Sequence, residues 1–324
     1  MKNNFGKATL KFVFVVVVML AAAWVVVNRQ AVVDWARLLA YTPSAEVKAL
    51  ADNTQLEQKA RDLFYVSDPQ VQDSTTFNAS CSSNEQTIVL GCYKAQRIYL
   101  YNIKDERFNG IKEVTAAHEM LHAAYERMSD DEKQRVNDLL KPLVENMKDP
   151  RLLELVELYN KTEPGELYNE MHSILGTEAA DLTPELETYY KQYFKDRSVV
   201  TRYAGQYQAI FTESKNKIDE YDRQLSQLKP QIDQNNSTLQ RMQDELASQS
   251  NQLSQYRSRN QIQQYNQLVP SYNAEVAEFN ALIETTRGLV STYNKLVEER
   301  NNQVAAQTNL YDSINSNYQP ATKN

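Results

Sequence analysis

Two long registers of apolar residues constrain this chain more than any other feature. From Phe211 through Ile218, Leu225, Ile232, Leu239, Leu246 and Leu253 to Tyr256, the pattern steps by three and four without interruption. A second such register runs from Tyr272 through Phe279, Ile283, Val290, Val297 and Val304 to Tyr318. A seam with this period is buried only against another helix. Two registers of matched length therefore predict an antiparallel coiled-coil hairpin over 205–318, with a parallel dimeric coiled coil as the competing arrangement. A polar stretch containing Pro270 separates the registers, and "YRSRNQIQQYNQ" at 256–267 reads as the tip. Asn235 and Gln249 lie in the seam, where polar residues set register and lower stability. Pro230 is expected to kink the first helix. The last residues, 319–324, read as a disordered tail.

Composition supports a largely helical chain. Only 7 of 324 residues are glycine, and Glu, Gln, Leu, Ala and Lys are abundant. The net charge of −7 provides no basic footprint, so nucleic acid is not an expected partner.

The other end of the chain is apolar. Phe12 to Val27 contains no polar residue, and Lys2, Lys7 and Lys11 precede it without an acid. The run approaches the length of about 20 residues that a spanning helix needs, and Lys11 can snorkel to extend it. Basic residues on the amino-terminal side favour a cytoplasmic N-terminus. Residues 1–28 are thus expected to be an uncleaved, single-pass signal anchor in a cell membrane, with the remainder extracytoplasmic. A cleavable signal peptide is the alternative, with "AAA" at 21–23 offering small residues. Cys81 and Cys92 are the only cysteines, and in an exported chain they are expected to form a disulfide.

Between the anchor and the hairpin, residues 29–204 alternate helical and extended patterns. Helix is expected over 29–66, broken at "TPSAE", followed by a turn at Asp68-Pro69 and polar loop over 70–86. "TIVLGCYKAQRIYLYNI" at 87–103 is the clearest β signal and reads as one or two strands turning near Tyr93–Gln96. Residues 111–147 read as helical, with Ser129 and Glu132 forming a capping box. Thr162, Glu163 and Pro164 suit a helix entry and Gly176 a helix exit, and Thr183-Pro184 opens a further helix.

Within this region lies "VTAAHEMLHAAYERM". On a helix, His118 and His122 are one turn apart, and both imidazoles can face a single ion, most commonly zinc. Glu119 projects beside that ion, where a carboxylate can accept a proton from water. This HExxH spacing is a metallopeptidase signature, and the small Ala116, Ala117, Ala123 and Ala124 permit close packing around it. The competing reading is two histidines satisfied by hydrogen bonds on a helix face. A catalytic zinc needs a third protein ligand. The candidates are Glu170, His172 and Glu166, all in "GELYNEMHSILGTE".

The pairing of "HEMLH" with a downstream "YNEMHS" resembles the gluzincins, the thermolysin-like branch of the zincin metallopeptidases. The likeness covers two short motifs. It implies a zincin-like α+β, mostly α catalytic domain with a small β element, and a membrane-anchored bacterial type of enzyme. It also implies Glu170 as third ligand, since an Asn-Glu pair supplies it in that branch. His172 and Glu166 remain alternatives, the latter with Glu170 as the supporting acid. The branch's own supporting acid would fall on Ile174, which cannot play that part. The longer metzincin motif is absent, since "HAAYERMSDDE" contains no third histidine. By the same resemblance an edge strand should lie above the site helix, and "RIYLYNI" is a candidate. Tyr168, Tyr189 or His172 could stabilise an oxyanion.

The expected function is an anchored zinc metallopeptidase acting on a peptide or protein, with Glu119 as general base and Zn2+ as cofactor. Alternatives are a structural or adaptor envelope protein whose coiled coil binds a protein partner, and an amidase acting on cell-wall peptide.

Overall fold

The apolar N-terminal run has no residue that would break a helix, and it forms α1 (Asn3–Val27). Its described side chains are almost all exposed. The chain bends by 81° at Asn28 into α2 (Arg29–Ala40). Among the described residues no single helix is long and apolar enough to cross a membrane, although these two pass together on length and composition. The structure, a computed structural model, describes residues 3–81 and 88–318, with side chains from residue 12. The expected tail at 319–324 lies outside the described residues, as do 82–87.

Ser44 in "TPSAE" caps α3 (Ala45–Asn53) by accepting from the Val47 amide at 3.2 Å, and α4 (Gln58–Val66) follows. Segment 70–81 is not loop as expected. Gln70–Gln72 forms β1, and Ser74–Ser80 forms α5, whose N-cap is Asp73. Both elements are short and polar, and are formed by pairing and capping that periodicity does not register. The β signal resolves into β2 (Gly91–Lys94) and β3 (Arg97–Tyr101). Ala95 and Gln96 turn the hairpin with φ of 51° and 60°, a two-residue turn matching strand twist. The sheet order is β1-β3-β2, with β1 parallel and β2 antiparallel to β3. Cys81 and Cys92 are bonded, as expected, with Cα atoms 6.0 Å apart.

Next come α6 (Ile111–Glu126), α7 (Asp130–Glu145), α8 (Pro150–Thr162), α9 (Leu167–Thr177) and α10 (Pro184–Tyr190). The capping box of Ser129 and Glu132 is present at the start of α7. One boundary expectation needs correction. Thr162 ends α8 instead of opening a helix, because Asp149 and Pro150 had already started one. Gly176 lies inside α9, where a Cβ would sit 2.6 Å from Leu121 and 2.7 Å from Tyr190. It stands one residue before the helix ends at Thr177, close to the expected exit, and its lack of a side chain also permits close packing.

The registers form α11 (Arg197–Ser258) and α12 (Ile262–Ile314). The turn lies at 259–261, with Asn260 at φ 57°. Pro270 is inside α12, and α11 runs through Pro230.

The chain divides into two compact units, Met1–Gln208 with Ser313–Asn324, and Ala209–Asp312. In the second, Phe211 stacks on Tyr311 at 4.8 Å, Asp222 pairs with Arg300 at 2.9 Å, and Gln249 donates to Glu275 at 2.5 Å. Partner numbers fall along one helix as they rise along the other, so the pair is antiparallel. The first unit has one core, with Phe64, Ile98, Leu100, Met120, Leu121, Met171 and Tyr190 at its centre.

Candidate metal centre

Most of α6 is enclosed. Ala116, Ala117, Ala123 and Ala124 are each at most 4% exposed, and α9, α4, α3 and the sheet pack around it. Such close approach requires small side chains on several faces, which the alanines provide. A buried helix thereby holds its polar residues in one orientation.

Three of those side chains converge. The Nε2 atoms of His118 and His122 are 3.0 Å apart. Glu170, reaching across from α9, places its carboxylate oxygens 3.8 Å from His118 Nε2 and 3.5 Å from His122 Nε2. One donor atom from each residue lies within 4.8 Å of the other two, a set that could hold one metal ion.

The hydrogen bonds behind the cluster set the tautomer of His122. Asn169 Nδ2 donates to Glu166 Oε2 at 2.9 Å, which leaves Asn169 Oδ1 facing His122 Nδ1, also at 2.9 Å. That ring nitrogen must therefore carry the proton, and Nε2 presents its lone pair to the cluster. Burial, with His122 adding to it, holds the His118 pKa well below its ordinary value. Two imidazoles and a carboxylate at this spacing suit zinc.

The alternative ligands lie elsewhere. His172 is fully buried, with Nε2 2.8 Å from the Tyr189 hydroxyl and its ring stacked on Tyr190. Burial, then the neighbouring His122, lowers its pKa to about 3. Glu166 stands behind Asn169 and supports His122 through it.

A cleft of about 520 Å³ opens over the cluster. Glu119, 5% exposed, lies on its floor. Gly91 of β2 passes directly above: a Cβ there would sit 2.5 Å from Thr115 Cγ2 and 2.9 Å from Glu119 Oε1. Leu155, Leu158 and Tyr159 of α8 form another wall. Glu178, paired with Arg151 at 2.8 Å, lies in the lining, and burial raises its pKa.

Two expectations about the surroundings are corrected. "RIYLYNI" cannot provide the free edge, because β3 is paired on both sides. The edge strand beside α6 is β2. Tyr168, Tyr189 and His172 do not line the cleft, whereas Tyr93, Tyr159 and Tyr207 do. Sequence reasoning passed over Asn169 as a support, Gly91, and the α8 wall. Only Asn169 carried a signal, its place beside Glu170.

No family model, curated protein or solved structure matches this chain.

Proposed function

We propose that this protein is a membrane-anchored, extracytoplasmic zinc metallopeptidase of the zincin kind, cutting peptide bonds with Glu119 as general base. The observation that carries the reading is the convergence of His118, His122 and Glu170 beside Glu119 on the floor of one cleft. His118, His122 and Glu170 would hold the ion. Zinc bound there supplies Lewis acidity, which brings water within reach of a carboxylate base and polarises a carbonyl.

The chain's own residues do the rest. Asn169 and Glu166 keep the His122 ring turned toward the ion. Glu119 takes a proton from the attacking water and returns it to the departing amine. The backbone of β2 offers a substrate an edge to pair with, which would lay the scissile bond along the cleft. Because Gly91 has no side chain, that backbone can lie against Glu119.

The test uses the full chain in lipid nanodiscs, loaded with zinc and given a peptide library. Cleavage is expected, with loss on chelation. Glu119→Gln should retain zinc and lose about 10²–10⁴-fold in rate, the range for general acid–base catalysis. Zinc binding without cleavage by either protein would overturn the peptidase reading and favour an adaptor role for the coiled coil.

A further inference from the structure

α2 presents an apolar face that is largely exposed among the described residues. Trp35 is 64% and Leu39 69% exposed, and with Val32 and Ala36 they follow the spacing of one helix face. The opposite face is polar and fastened. Asp34 accepts two bonds from Arg127, at 2.9 and 3.2 Å, and Gln30 accepts from Gln96 at 3.3 Å. Arg127 also donates to the Tyr93 hydroxyl of β2 and to the Ala123 carbonyl of α6. α2 is thus joined to the helix that carries His118 and His122 and to the strand above it.

We propose that α2 lies in the headgroup region of a lipid bilayer and seats the first unit on that surface. The proposal rests on reading α1 as the membrane anchor. If α1 crosses the bilayer, the 81° bend turns α2 nearly into the membrane plane. α1 and α2 both carry exposed apolar side chains, and a tryptophan on α2 suits an interface. Arg29 is exposed at the bend, where it would meet lipid phosphates. Burial of α2 in hydrocarbon is disfavoured, because Arg29, Asp34 and Arg37 would be carried in with it. His122 lies five residues before Arg127, about 7–8 Å along α6. Allowing for helix diameters, the candidate centre is held within roughly 20 Å of the lipid. Its substrates would then be polypeptide segments close to the membrane surface.

Trp24 and Trp35 are the only tryptophans. Trp24→Phe leaves Trp35 as the sole emitter. Adding Trp35→Phe and Met19→Trp places the emitter in the middle of α1 instead. All three side chains are exposed, so no core packing is lost. Each full-chain variant is reconstituted in phosphatidylcholine–phosphatidylglycerol vesicles, with bromine on the lipid chains either near the headgroups or near the chain ends. The expected result is blue-shifted Trp35 emission quenched mainly by shallow bromine, and emission from position 19 quenched mainly by deep bromine. If both emitters are quenched by deep bromine, α2 is part of the span and the proposal is overturned. If position 19 is quenched and Trp35 emits as in water, the anchor stands and the proposal falls. If neither is quenched, the anchor reading fails and the proposal fails with it.

Discussion

Asn169 determines which nitrogen of His122 faces the candidate centre, although it offers that centre nothing itself. Its amide is held from both sides, by Glu166 and by the His122 ring. Asn169→Ala should therefore weaken zinc binding by about 10–100-fold, the usual effect of losing such a support. Competition with a chromophoric chelator would read this directly. His172 works differently, as a packed neutral ring whose Nδ1 has no hydrogen-bond partner among the described residues. Its folded-state pKa of about 3 lies below the ordinary 6.5. The unfolded chain takes up a proton below about pH 6.5 that the folded protein refuses, so the stability is complete above that value and drains away toward pH 3. By about pH 5 the loss should be about 2 kcal/mol. Urea unfolding of metal-free protein should show this acid sensitivity, and His172→Gln should reduce it, leaving the part that the lowered His118 pKa contributes. The histidine pair and Glu119 were legible in sequence because one helical turn fixes their geometry. Glu170 was not legible in that way, since it meets them only through the packing of α9 on α6, and only a resemblance pointed to it.

Elements were recognised where their signal is local and periodic. α6, the β2–β3 hairpin and the two long helices are of this kind. The order of strands is not local: alternation in "RIYLY" cannot tell a central strand from an edge, and the partner β1 is only three polar residues long. Gly176 shows another limit: its place near the end of α9 was legible, but its close approach to Leu121 and Tyr190 was not. The fit of β2 over α6 has its own consequence. Gly91→Val would drive a side chain into Thr115 and Glu119. On the proposed function, peptide cleavage should fall by about tenfold or more, as for small misplacements of a catalytic group, while zinc binding, whose candidate ligands lie on α6 and α9, should persist. Measuring both on one preparation separates the two. Equal losses would mean that β2 supports the metal cluster as well.

At the scale of the whole molecule, the hairpin is an insertion. The first unit is built from residues before Ala209 and after Asp312, and Asn78 of α5 donates to the Ser316 carbonyl at 2.9 Å. Every residue of the candidate centre belongs to that unit. Replacing Ala209–Asp312 by a short Gly-Ser connection should leave zinc affinity within about twofold, since no ligand or support is removed. A large drop would assign the hairpin a part in the centre.

The discontinuity also bears on how the protein is made. Ser316 emerges long after Asn78, and joining them through a disordered excursion would carry the entropy of closing a very long loop. A hairpin of neighbouring helices assembles from local contacts and is quick to form. Once Phe211 has met Tyr311, the two ends of the excursion are already side by side. The coiled coil then acts as its own assembly jig, delivering the last stretch of chain to a domain begun more than two hundred residues earlier.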